Sequence, residues 1–126
     1  MMDPKLILGH HQIDSDHKRL FELIHQLAAA MKTSKSKQAS VVACSELLDY
    51  TRTHFSMEET LMRQKGYLQI SAHLASHELF VDRIIESRKK LEAGSAVASV
   101  ELLTFLLDWL RTHIQRTDKL LVGALR

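Results

Sequence analysis

The sequence predicts an all-α protein, an antiparallel up-down-up-down four-helix bundle with an N-terminal arm. Glycine and proline, which interrupt helices, number only four and one in 126 residues, and Pro4 lies in the arm. Apolar residues recur at spacings of three and four along four long stretches, with no competing strand-like alternation. Short polar breaks join these stretches, and short connections force neighbouring helices to run antiparallel.

Residues typical of helix ends mark the four elements. Asp14 is expected to cap the first helix, and Ser71 and Ser95 to cap the third and fourth. Gly66 and Gly94 suit the C-terminal ends of the second and third helices. The chain, residues 1–126, is expected to form one domain: an arm of residues 1–13 and helices over residues 14–33, 38–65, 71–92 and 96–123.

Composition excludes several classes of function. The net charge is +2 and the basic residues are scattered, so no nucleic-acid partner is expected. No apolar stretch approaches the ~20 residues of a membrane helix, and the N-terminus lacks a signal-peptide pattern. The single cysteine, Cys44, cannot form an intrachain disulfide and lies among apolar helical residues, where we expect it to be buried. A cytoplasmic location without membrane contact follows as the expectation.

Polar residues interrupt the inward-facing seams of all four helices. Burying each one without a partner costs roughly 1–3 kcal/mol, and the cost is higher for a carboxylate. Metal coordination would satisfy imidazole lone pairs and carboxylate charge together. The six seam residues are His17, His54, Glu58, His73, His77 and His113.

Their spacing supports a metal site. His54 and Glu58 are four residues apart and share a helix face, as do His73 and His77. More than four ligands suggests two metal ions, and imidazole with carboxylate suits iron, manganese or a catalytic zinc.

Two metal ions would call for a second bridging carboxylate. Asp108 and Asp118 each lie five residues from His113. In a regular α-helix, a spacing of five rotates two side chains about 140° apart. A π-helical irregularity over 113–118 would bring His113 and Asp118 together. Spacing alone does not decide which of the two aspartates would be the second bridging carboxylate.

The segments "IDSDHKRLF" (13–21), "HFSMEE" (54–59), "HLASH" (73–77) and "FLLDWLRTHIQRTD" (105–118) resemble the hemerythrins, in particular bacterial hemerythrin-like domains. Nearly the whole chain is covered. The motifs H, H-x3-E, H-x3-H and H-x4-D fall one per helix, in the family's order. One difference is that no aromatic residue precedes Phe21, where bacterial members often carry one.

The resemblance implies a non-haem di-iron centre, with a solvent-derived oxo or hydroxo bridge, that binds dioxygen reversibly. Storage, delivery and sensing are all open, and sensing would require an output domain or a partner protein. The resemblance assigns His73, His77 and His113 to one iron, His17 and His54 to the other, and Glu58 and Asp118 as bridges. It also implies a dioxygen pocket lined by Phe55, Trp109, Leu110 and Ile114.

The sequence leaves three alternatives to a dioxygen-binding protein open. The centre could serve an enzyme that acts as an oxidase or peroxidase or handles nitric oxide. The segment "ELIH" (22–25) matches half of the Glu-x-x-His pattern of ferritin-like carboxylate proteins, but no second copy is present. A metal-free bundle is the third alternative.

No metal role is expected for the remaining histidines and the neighbouring glutamate: His10, His11, His25 and Glu59.

Overall fold

The fold is an up-down-up-down bundle of four helical rods, which confirms the predicted all-α class. A computed structural model describes residues 6–32 and 36–125. Within these ranges there is no strand, and no helix is both long and apolar enough to cross a bilayer. The elements are α1 (His11–Ala30), α2 (Ser36–Lys65), α3 (Ile70–Glu92), α4 (Ala96–Thr112), a π-helical turn (His113–Asp118) and α5 (Lys119–Leu125), the last three forming one continuous rod.

The first helix begins earlier than predicted, so the arm is shorter than residues 1–13. Nδ1 of His10 accepts a hydrogen bond from the Ile13 N–H at 3.2 Å and caps α1. The prediction of Asp14 as N-cap was therefore wrong. Asp14 lies in the first turn, and its carboxylate accepts the N–H groups of Leu8 and Gly9 at 2.8 and 2.9 Å, which holds the arm against the helix start.

Three of the other predicted caps are confirmed and one is wrong. The Ser95 hydroxyl accepts from the Ala98 N–H, as expected for the N-cap of α4. Gly66 and Gly94 have positive φ values of 61° and 86°, the left-handed conformation that glycine adopts without strain at helix ends. The prediction for Ser71 was wrong, because α3 already begins at Ile70.

Buried apolar residues form two clusters, one at each end of the bundle. The larger includes Leu20, Cys44 and Phe80, and the smaller consists of Ile13, Met62, Leu121 and Val122. Cys44 is fully buried, as predicted, and burial raises the pKa of its thiol to about 11. The polar seam residues lie between the two clusters.

Candidate metal centre

The seven predicted ligand residues converge in the interior of the bundle. None is more than 3% exposed. His17 comes from α1, two residues each come from α2 and α3, and the π-helical turn supplies the last two. The full set is His17, His54, Glu58, His73, His77, His113 and Asp118.

The π-helical turn explains how His113 and Asp118 meet. It spans His113–Asp118, which confirms the predicted irregularity. Nε2 of His113 lies 3.0 Å from Oδ1 of Asp118, although five residues separate them. Asp108 is exposed on α4 and does not reach the cluster. The turn therefore decides which of the two aspartates faces the core.

Glu58 lies between two groups of imidazoles. Its Oε1 is 3.0 Å from Nε2 of His73 and 3.0 Å from Nε2 of His77. Its Oε2 is 3.1 Å from Nε2 of His54 and 3.8 Å from Nε2 of His17. The two oxygens of one carboxylate thus face different histidine groups.

Asp118 repeats this arrangement from the opposite rod. Its Oδ1 is 3.1 Å from Nε2 of His73 and also contacts His113, while its Oδ2 is 2.7 Å from Nε2 of His17. Two potential metal-holding groups share both carboxylates. One contains His73, His77 and His113 with Glu58 and Asp118, and the other contains His17 and His54 with the same two carboxylates.

Several donor atoms at the centre are left without a hydrogen-bond partner among the described residues. They include Nε2 of His54, His77 and His113, Oε2 of Glu58 and Oδ1 of Asp118. An unpaired buried polar atom costs roughly 1–3 kcal/mol. A pair of cations would satisfy the imidazole lone pairs and balance the carboxylate charges, so this donor set fits a two-metal centre.

Three of the five imidazoles are oriented by groups outside the cluster. Nδ1 of His54 hydrogen-bonds to Oδ2 of Asp16 at 2.9 Å, and Nδ1 of His77 to Oε2 of Glu59 at 3.3 Å. Nδ1 of His113 lies 2.9 Å from the Ser76 hydroxyl. Holding Nδ1 in this way leaves Nε2 facing the centre, where it can bind a metal.

Asp16 and Ser76 were not identified from the sequence. Asp16 is itself held by the Tyr50 hydroxyl at 2.8 Å and by the Gln12 amide at 3.0 Å, so the His54 ring is fixed through a chain of bonds. Because Asp16 bonds to His54 on α2 and Ser76 to His113 on the π-helical turn, no sequence spacing links them to these rings; each stands out in the sequence only as a polar residue directly before a predicted ligand.

The two central carboxylates are ionised in the metal-free protein. Burial raises the pKa of Glu58, as does the nearby Asp118, but the imidazoles of His54, His73 and His77, each within 3.1 Å of its carboxylate, lower it below its usual range. Burial likewise opposes ionisation of Asp118, yet His113 and the other imidazoles bring its pKa well below the usual value. Ionised carboxylates are the form that binds a cation.

Two of the four predicted pocket-lining residues stack on ligand histidines, and the other two lie in the larger apolar cluster. Phe55 stacks on His77 with ring centroids 3.7 Å apart, and Trp109 stacks on His113 at 4.2 Å. Both aromatic rings thus lie against the three-histidine group. Leu110 and Ile114 are buried in the larger apolar cluster. The role of these four in lining a ligand pocket stays a prediction.

The histidines without a predicted metal role lie outside the centre. His10 caps α1, and His11 and His25 are exposed. Glu59 is a half-buried flank residue whose side chain is 24% exposed, and it touches the centre only through His77.

A four-helix bundle that buries five imidazoles around two shared carboxylates belongs to the class of bundles able to hold metal ions in their core. The family model described as "Hemerythrin HHE cation binding domain" matches residues 8–125. The chain belongs to the hemerythrin family.

Its relatives agree with this assignment. The bacteriohemerythrin of Pseudomonas aeruginosa is 42% identical over 118 residues, covering 94% of this chain and 76% of the relative. The bacteriohemerythrin of Methylococcus capsulatus is 35% identical over 107 residues, covering 85% and 81%. A crystal structure of wild-type hemerythrin superposes with a TM-score of 0.84 at 32% identity, covering 94% of this chain and 90% of the other.

Proposed function

We propose that this protein binds dioxygen reversibly at a di-iron centre, in the cytoplasm, as a storage, delivery or sensing protein. The observation that carries the proposal is the placement of Glu58 and Asp118, each of which faces both histidine groups inside a closed core. We assign His73, His77 and His113 to one iron, His17 and His54 to the other, and the two carboxylates as bridges. When bound, the iron pair supplies the electrons that hold dioxygen.

The unequal donor sets suggest where a small ligand would bind. The group with His73, His77 and His113 contains five residues, whereas the group with His17 and His54 contains four. The smaller group leaves room for one more ligand. The apolar clusters on both sides keep water away, which protects a bound oxidisable centre from solvent.

Reversible binding is favoured over catalysis by the arrangement of titratable groups. The buried carboxylates and imidazoles either face the centre or, like Asp16, orient a group that does. An oxidase or peroxidase would need a further acid or base that reaches the substrate. We therefore propose a binding protein, with enzymatic activity as the alternative that experiment must exclude.

The test is anaerobic reduction of the iron-loaded protein, followed by admission of air and then by removal of oxygen under argon. A stable absorption spectrum that appears with air and disappears with argon would support reversible binding. Immediate and permanent conversion to the ferric spectrum would contradict it. Steady consumption of oxygen in the presence of a reductant, with peroxide or water as product, would favour the enzyme. A preparation that binds no iron would overturn both.

A further inference from the structure

Thr51 is a buried hydroxyl for which the described residues provide no partner. It is fully buried on α2, and its Oγ1 makes no hydrogen bond to any described residue. Threonines in helices commonly donate to the carbonyl oxygen four residues earlier. Two others in α2 do so: Thr53 bonds to the Asp49 carbonyl at 3.2 Å and Thr60 to the Ser56 carbonyl at 3.0 Å. The Thr51 hydroxyl makes no such bond and is directed elsewhere.

Helical periodicity places Thr51 beside the metal centre. It precedes His54 by three residues and Glu58 by seven, so it shares their inward face and lies about one turn from His54. His54 belongs to the smaller donor group, the one with room for a further ligand. The neighbouring Phe55 is occupied by stacking on His77.

The register of the bundle indicates which residues lie at the same height as this hydroxyl. α2 and α4 run in the same direction, and α1 and α3 run opposite to them. Residues three positions from a ligand histidine, on the side away from Asp118, therefore form one layer: Leu20, Thr51, Phe80 and Leu110. All four are at most 1% exposed, and the other three are large apolar residues. Thr51 supplies the only hydroxyl of this layer.

We propose that the Thr51 hydroxyl donates a hydrogen bond to a small ligand held beside His54, of the diatomic or linear-anion class. This inference rests on the proposed function, since the ligand requires a metal in the smaller donor group. A donor with no structural partner is the group that a bound anionic ligand would satisfy. The desolvation cost of the hydroxyl is then recovered only when that ligand is present.

The first experiment compares wild type, Thr51→Val and Thr51→Ser in the metal-free state by urea unfolding. Valine has the shape of threonine but lacks the hydroxyl. We expect Thr51→Val to unfold at an equal or higher urea concentration, because it removes an unpaired buried hydroxyl. A clear loss of stability in Thr51→Val that is absent in Thr51→Ser would reveal a structural partner and overturn the proposal.

The second experiment titrates the ferric, iron-loaded proteins with sodium azide and follows the charge-transfer absorption. With iron content equal in all three, we expect Thr51→Val to bind azide roughly tenfold more weakly or worse, the size of a lost hydrogen bond to a charged group. Thr51→Ser should stay within about twofold. Equal azide affinities in the three proteins would overturn the role of Thr51. Failure of the wild type to bind iron would instead overturn the proposed function.

Discussion

His113 and Asp118 face each other across a single π-helical turn, with Nε2 and Oδ1 3.0 Å apart. The turn inserts one extra residue into the rod, so two side chains that an α-helix would separate point into the same space. Both are buried, at 3% and 0% exposure. An irregularity in the backbone thus positions one carboxylate and one imidazole of the centre together.

Removing the Asp118 carboxylate should cost the centre more than half of its iron, whereas removing that of Asp108 should cost none. Asp118 faces both histidine groups, while Asp108 lies at the same distance in sequence from His113 but on the exposed side of α4. We expect Asp118→Asn to retain less than half of the wild-type iron and Asp108→Asn to retain all of it. Colorimetric iron determination after loading measures this, with circular dichroism to check folding. Equal iron contents would contradict the assignment of Asp118.

Glu58 and Glu59 are adjacent on α2, but we expect only Glu58 to be essential for iron binding. Glu58 is fully buried between the histidine groups, while Glu59 reaches only Nδ1 of His77. We expect Glu58→Ala to lose both iron ions. Glu59→Ala should still bind two ions at saturating iron, with an affinity reduced by no more than about 10–100-fold, as for other residues that orient a ligand. Competition with a calibrated chelator measures the affinity, and equal effects of the two substitutions would refute the assignment of Glu58.

Asp16 should act on the metal through His54. Its carboxylate holds Nδ1 of that ring, and an amide in its place could no longer fix the ring with the same strength. We expect Asp16→Asn to weaken binding of one iron ion by about 10–100-fold and to leave the second nearly unchanged. Asp49→Asn, an exposed aspartate of α2, serves as the matched control. Identical iron titrations of the two variants would show that Asp16 has no such role.

The stability of the metal-free protein should pass through a maximum between about pH 5 and 6.5. Burial lowers the pKa of His54, but the hydrogen bond to Asp16 and the Glu58 carboxylate 3.1 Å away raise it from 6.5 to about 10. That stabilisation is complete below pH 6.5 and is lost as the pH rises towards 10. Burial also lowers the pKa of His73, but the nearby Asp118 and Glu58 carboxylates raise it to about 9. Its contribution to stability is therefore lost over the same pH range as that of His54. Glu58 and Asp118 have lowered pKa values, so their contribution is lost as the pH falls below their usual range.

Urea unfolding of the metal-free protein between pH 4 and 9 measures this profile. We expect the free energy of unfolding to fall by on the order of 2 kcal/mol between pH 6.5 and 9. The stabilisation gained from iron should change in the opposite direction, because the metal displaces protons from His54 and His73 and binds more tightly as the pH rises. A metal-free protein that gains stability steadily up to pH 9 would contradict the prediction.

Sequence spacing identified most of the candidate metal ligands but not the residues that orient them. His54 with Glu58, and His73 with His77, are recognisable because the α-helix repeats every 3.6 residues. Asp16, Glu59 and Ser76 act across helices, and no regular spacing links them to the rings they hold. The start of the first helix was predicted too late in the sequence, because the N-cap is His10, an unusual residue for this position, and not Asp14.

The sequence by itself determined the helices, their order and the polar residues on their inward faces, since these depend on local periodicity and on the cost of burying unpaired groups. It also indicated the π-helical turn through the five-residue spacing of His113 and Asp118. Only the tertiary structure showed the contacts by which each carboxylate faces both histidine groups, which the family resemblance had implied without geometry, and that Thr51 alone places a hydroxyl in the neighbouring apolar layer. Those relations join residues up to 101 positions apart, such as His17 and Asp118, and depend on how the rods pack.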